Sequence, residues 1–202
     1  MIDLSKLLEI DGQAIGAALD AATHEERLAA LYSLDRKGQR KLYQLAQGGA
    51  GNALGLSHLV PEERPPRAPV RHFGRNTLPL PGKHRFFEKR FCKPEQQDAR
   101  LFGYNEAPSR GLVGPGYFVA LPTKGNAAWE ARGGVVVDYF QVPDAAVAEG
   151  WPKVVPNTKG IQRFVYNGTR DYLRGVSKHA CIGAAYKGEK ALDHYFILCR
   201  EP

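Results

Sequence analysis

Apolar residues in the first 47 positions recur with helical spacing. Leu4, Leu7 and Leu8 fall at i, i+3 and i+4. So do Leu28, Leu31 and Tyr32, and then Leu42, Leu45 and Ala46, so that each group makes one apolar stripe. Thr23 followed three positions later by Glu26 is a capping box, in which the hydroxyl takes a free backbone N–H and the carboxylate reaches back. Asp35 is placed to cap the next helix, and Gly48-Gly49 to end it. Helices this short cannot bury their stripes alone. They are expected to pack on the rest of the chain or on a second subunit, which makes a homodimer one partner to test.

From residue 83 the pattern is that of strands. HRFFEKRFC (84–92), RLFGY (100–104), GYFVALP (116–122), GVVVDYFQV (134–142) and IQRFVY (161–166) are rich in β-branched and aromatic residues and are bounded by turn formers. HACIGAAY (179–186) and LDHYFILCR (192–200), separated by KGEKA, read as a hairpin. The stretch 169–178 fits either a short helix capped by Thr169 or a further strand, and Asp144–Glu149 fits a short helix after Pro143. Strands this close, without long helical crossovers, imply antiparallel pairing. The expected class is α+β, with short N-terminal helices followed by a mainly antiparallel β-sandwich or partly open β-barrel. The expected parts are a helical segment at 1–47, a basic strap or linker at 48–82, and a β-rich domain at 83–202.

The strap is inferred from its prolines. GGAGNALG, PEERPPRAP and LPLPG follow one another there, and proline removes N–H donors and fixes φ, so neither helix nor central strand is expected. Val70, Phe73, Leu78 and Leu80 would anchor it to the body.

Composition narrows the classes further. At 202 residues and 43% hydrophobic, the chain is long and apolar enough to bury a core. No window approaches the roughly 18 apolar residues that span a bilayer. Asp3, Glu9 and Asp11 stand where a secretory leader would be basic and apolar, so the expectation is a soluble, cytoplasmic protein. Cys92, Cys181 and Cys199 form no CxxC pair and read as buried free thiols. The net charge of +7 is concentrated in residues 51–110, where eleven Lys/Arg face six Asp/Glu. A second function class follows from that excess: a nucleic-acid-binding module using residues 64–93. A third is a protein-interaction module docking through the N-terminal helices.

Candidate chemistry is sparse. His179 and Cys181 lie two apart on a strand and share a face, but His194 and Cys199 are five apart and face opposite sides, so no closed metal site is expected. GLVGPG (111–116) opens onto a strand rather than a helix, and so reads as a turn rather than a nucleotide loop. In KHRFFEKRFCK (83–93) neither face of a strand is cleanly basic or cleanly aromatic, as a base-stacking platform would need.

The densest polar and aromatic cluster lies at 163–179. Arg163, Tyr166, Arg170, Tyr172 and His179 are the candidate ligand-binding residues, with Arg110 and Trp151 at the mouth of the same pocket. Trp129 and Trp151 sit in turn-like surroundings. The favoured function is a pocket in the β-rich body for a small anionic or amphipathic ligand. Asp171 and His179 are the natural acid–base pair if a reaction occurs there. The sequence assigns no catalytic residue, cofactor or metal.

Overall fold

The computed structural model describes residues 2–9, 11–46, 54–96 and 98–202. Four helices open the chain: α1 (Leu4–Leu7), α2 (Gly12–Ala21), α3 (His24–Ser33) and α4 (Arg36–Leu45). Their starts follow local chemistry. Asp3, Asp11 and Asp35 each accept a backbone N–H at an N-terminus, and Thr23 with Glu26 completes the capping box. The sequence pattern did not single out α2. The expected stop at Gly48-Gly49 lies outside the described residues.

Eight strands follow and close on themselves. These are β1 (Val70–Asn76), β2 (Phe86–Cys92), β3 (Leu101–Glu106), β4 (Phe118–Pro122), β5 (Val135–Asp138), β6 (Thr169–Gly175), β7 (Ala180–Lys187) and β8 (Lys190–Arg200). Each pairs antiparallel with the next, and β1 also pairs with β8, with His72 opposite Arg200 and Asn76 opposite Phe196. The body is therefore a closed barrel, neither a sandwich nor a partly open barrel. Closure leaves no free sheet edge, the feature through which strands aggregate.

Four local expectations are changed or resolved. Val70–Asn76 is a barrel strand inside the segment expected to be a strap, because the prolines flank it at Pro69 and Pro79 and leave its own N–H groups free. The ambiguous 169–175 stretch is strand β6, paired on both sides. IQRFVY is instead a helical turn, α8 (Gln162–Val165), since every strand edge already has a partner. No helix forms at 144–149.

Period-two alternation divides the side chains. Val70, Phe91, Leu101, Phe118, Val137, Leu173, Cys181 and Leu198, from all eight strands, form one interior cluster. Ala180, Ile182, Ala184, Ile197 and Cys199 face outward on β7 and β8, where Ile15, Leu19, Leu31, Leu34 and Leu42 of the helical segment cover them. The helices thus pack on the barrel. Arg174 fixes this joint: its guanidinium lies 3.8 Å from the Tyr43 ring centroid and donates to the carbonyls of Tyr43, Arg132 and Ala131.

The two ends of the barrel differ. One is stoppered by the stretch containing α5 (Leu56–Leu59), whose Leu54, Leu59 and Val60 join the interior cluster. His72 holds this plug through its Nε2, 2.8 Å from the Leu59 carbonyl. The other end carries the β1–β2, β3–β4, β5–β6 and β7–β8 connections. The β3–β4 connection contains α6 (Arg110–Val113), the β5–β6 connection contains α8, and between them they frame the mouth. The remaining helical turn, α7 (Ala127–Glu130), lies in the β4–β5 connection.

Candidate functional site

On β2, Phe87, Lys89 and Phe91 alternate inward, so the strand carries one ammonium into an apolar interior. Lys89 is 2% exposed. Its Nζ lies 3.0 Å from Asp171 Oδ2 on β6 and donates at 3.0 Å to Asn105 Oδ1 on β3, with the Tyr139 hydroxyl as a third partner. Asn105 in turn donates to the Gly116 carbonyl at 2.9 Å, and the Tyr139 hydroxyl donates to Asp171 at 3.2 Å. All three protons of the ammonium therefore meet an acceptor, which buried charge requires.

Aromatic rings box this centre. The ammonium stands 4.9 Å from the Phe196 centroid, 5.0 Å from those of Phe118 and Tyr139, and 5.8 Å from that of Phe87. The box depends on glycine. Gly74, Gly103 and Gly183 sit directly across the ladder from Phe87, Phe118 and Phe196. Each ring lies where a Cβ on its glycine would stand, with the Phe87 ring 2.7 Å from that position at Gly74. Only the absence of a side chain on three strands lets three phenyl rings fold flat into an eight-stranded barrel.

Burial shifts Lys89, Tyr139 and Cys181 here. Burial pulls Lys89 below its ordinary value, partly offset by Asp171. Burial pushes the Tyr139 phenol well up, and pushes Cys181, on the same interior wall, up to about 12. Such a thiol is inert.

Tyr166, at the end of α8, stacks on Tyr139 with centroids 5.2 Å apart and planes 19° apart. It is half-buried and covers the Tyr139 face of the polar centre. Burial raises its phenol to about 12. Its N–H donates to the Gln162 carbonyl at 2.8 Å, and Gln162 is itself anchored: its Oε1 accepts from Gly116 N at 3.2 Å, and its Nε2 donates to the Pro156 carbonyl at 2.8 Å. Gly114 and Gly116, both at positive φ, give this side chain and the Tyr166 ring their room.

The seven residues singled out from sequence do not form one pocket. Arg110, Arg163 and Tyr166 share the mouth; Arg110 is paired with Glu106 at 2.7 Å, and Arg163 lies over Phe164. Arg170 and Tyr172 point out of the barrel. Arg170 lies 4.3 Å from the Phe140 centroid and pairs with Asp138 at 3.3 Å, and Tyr172 accepts from Arg132. Trp151 packs outside β3 against Tyr104 and Tyr117. His179 lies in the β6–β7 turn at the plugged end, so it cannot work with Asp171. Cys181 faces the interior and Cys199 the helices, which separates the cysteine ligands considered above. Among the described residues no three His, Cys, Asp or Glu side chains gather as a metal site.

Four of the nine cations of 64–93 are already engaged within the protein. Lys89 is interior, Arg71 pairs with Glu201, Arg90 pairs with Glu88, and Arg75 binds carbonyls of the helical segment. Sequence reasoning missed Lys89, Asn105 and Tyr139. The readable signal was a lone lysine between two phenylalanines at inward positions of a strand.

A cleft of about 1010 Å³ lies at the plugged end between α2, α4, α5 and the β6–β7 turn, and includes His58, Lys178 and Arg200.

These features define a class: a closed eight-stranded antiparallel barrel with an ion pair at its heart and helices along one wall. No protein-family model matches the chain, and comparison with curated proteins and with solved structures likewise finds no match.

Proposed function

We propose that the protein binds a small amphipathic ligand in the mouth half of its barrel. The polar head would meet Lys89, Asp171, Asn105 and Tyr139, and the apolar body would lie against Phe87, Phe118 and Phe196. The observation that carries this is a satisfied ion pair held in an aromatic box one ring below a half-exposed tyrosine. A packed hydrophobic replacement would serve stability as well or better, so the charges argue for a role in recognition. Eight-stranded barrels are the size that side chains fill or one small ligand occupies. Tyr166 rides on a four-residue helix, so its ring can turn aside and admit a guest.

The pairing also selects among ligands. Asp171 already neutralises Lys89 and repels a second carboxylate or phosphate, so an uncharged head offering both a donor and an acceptor fits better than a full anion. Native mass spectrometry of the purified protein should show a co-purified small molecule. Tyr166→Ala should shift the affinity for Nile red, an uncharged solvatochromic probe, by about tenfold. A protein free of adducts, with a Nile red titration indifferent to both Tyr166→Ala and Lys89→Met, would sink the idea.

A further inference from the structure

The mouth carries a surface that runs against the usual pattern. In α8 the only buried residue is Gln162, while Ile161, Phe164 and Val165 on the same turn are exposed, Phe164 at 73%. In neighbouring α6, Leu112 is 74% exposed. The two turns adjoin, because the Gln162 side chain packs against Gly114 and bonds to Gly116 N. Four large apolar side chains therefore project together from one end of the barrel, with their polar neighbour turned inward. Scattered apolar residues are normal on a surface, but a contiguous projecting set marks a contact.

Charge identifies what it contacts. The segment 150–168 contains Lys153, Lys159 and Arg163 and no Asp or Glu, and 107–117 contains Arg110 and no Asp or Glu. Among the described residues none of Lys153, Lys159 and Arg163 makes an ion pair, whereas Arg110 is held by Glu106. Apolar tips with uncompensated cations beside them match a surface that is apolar beneath an anionic layer. A second copy fits poorly, since a two-fold contact would press the same cations together.

We propose that the barrel mouth docks on an anionic lipid surface. Leu112, Ile161, Phe164 and Val165 enter the headgroup–acyl boundary, while Lys159 and Arg163 meet lipid phosphates. The surface is independent of the barrel interior. Absence of vesicle binding by the wild-type chain with Nile red binding intact sinks this proposal alone, and the converse sinks the ligand reading alone.

The test is co-sedimentation of the full chain with phosphatidylcholine vesicles, with and without phosphatidylserine. Binding should appear with phosphatidylserine and weaken as salt is raised. Leu112→Ser/Phe164→Ser should weaken it at least about tenfold. Lys159→Glu/Arg163→Glu should weaken it by about fivefold or more for each cation replaced. All four positions are exposed, so thermal melts should match the wild type. Absence of binding to either vesicle, or binding unchanged by both pairs, overturns the proposal. So does concentration-dependent dimerisation that Leu112→Ser/Phe164→Ser abolishes, which would make the patch a contact between copies.

Discussion

Asp171→Asn isolates the charge at the centre of the barrel. The substitution keeps the shape of the side chain and strips its negative charge, leaving an ammonium 2% exposed with only the Asn105 carbonyl and the Tyr139 hydroxyl as firm partners. At 3.0 Å and an effective dielectric constant near 20, the lost attraction is about 5 kcal/mol. Breaking one side of a buried pair ordinarily costs about 3–5 kcal/mol. Deprotonation sets an independent ceiling: releasing the Lys89 proton costs about 1.4 kcal/mol for each unit between the pH and its ordinary value of 10.5. That caps the penalty near about 5 kcal/mol at pH 7 and near about 2 kcal/mol at pH 9. The sign follows from proton binding. Burial places the folded lysine below its unfolded value, so in that window the unfolded chain holds more protons and stability rises with pH. Urea unfolding, extrapolated linearly at both pH values, measures the effect. The expected loss is about 3–5 kcal/mol at pH 7, shrinking by pH 9. Lys89→Met/Asp171→Leu, which removes both charges and leaves Asn105 bonded to Tyr139 at 3.1 Å, should cost less than Asp171→Asn alone. A loss under about 1 kcal/mol at pH 7, or one that grows with pH, would refute the reasoning.

Two further substitutions probe the plug and the aromatic box. His72 is fully buried beneath the plug, and burial lowers it to about 3; the same cause lowers His58 to about 4. Both stay neutral in the folded state while the unfolded chain protonates below about 6.5. Moving from pH 7 to pH 5 should therefore cost about 2 kcal/mol per histidine, and His72→Gln should remove about half of that dependence in urea melts; an unchanged dependence would count against it. Gly183→Ala places a methyl group on the Phe196 ring and should cost about 1–3 kcal/mol, with a changed near-ultraviolet dichroism. A neutral Gly183→Ala would show that the ring has somewhere else to go.

Much of this architecture was legible in the chain because local chemistry and final packing agree. The capping box at Thr23 and Glu26 forms as its spacing implies, and the 179–186 and 192–200 runs pair as a hairpin. Closure was not legible, because β1 lies between prolines and its partner β8 is the last strand of the chain. The run IQRFVY misled because β-branched and aromatic residues signal a strand only where an edge is free.

The polar centre was hidden for a related reason. In TRDYLRG, Arg170, Tyr172 and Arg174 are conspicuous, but on a strand they all face away from Asp171 and Leu173. Without deciding between helix and strand at 169–178, the inward position of Asp171 could not be read. Its partnership with Lys89, across the barrel and far along the chain, leaves no local mark.

Closure through β1 and β8 also governs how the chain comes into being. On a ribosome the α1–α4 segment emerges before all eight strands, and the wall it covers, formed by Ile182, Ile197 and their neighbours, belongs to the last two of them. Strand β1 likewise waits for Phe196–Arg200 before its second ladder can form. The barrel cannot close until β8 is available to β1, so contacts of long sequence separation must set the folding rate. The exposed stripes of the helical segment are thus a hazard during synthesis, and removing Phe196–Arg200 would take β1's second ladder and part of the wall under the helices at once.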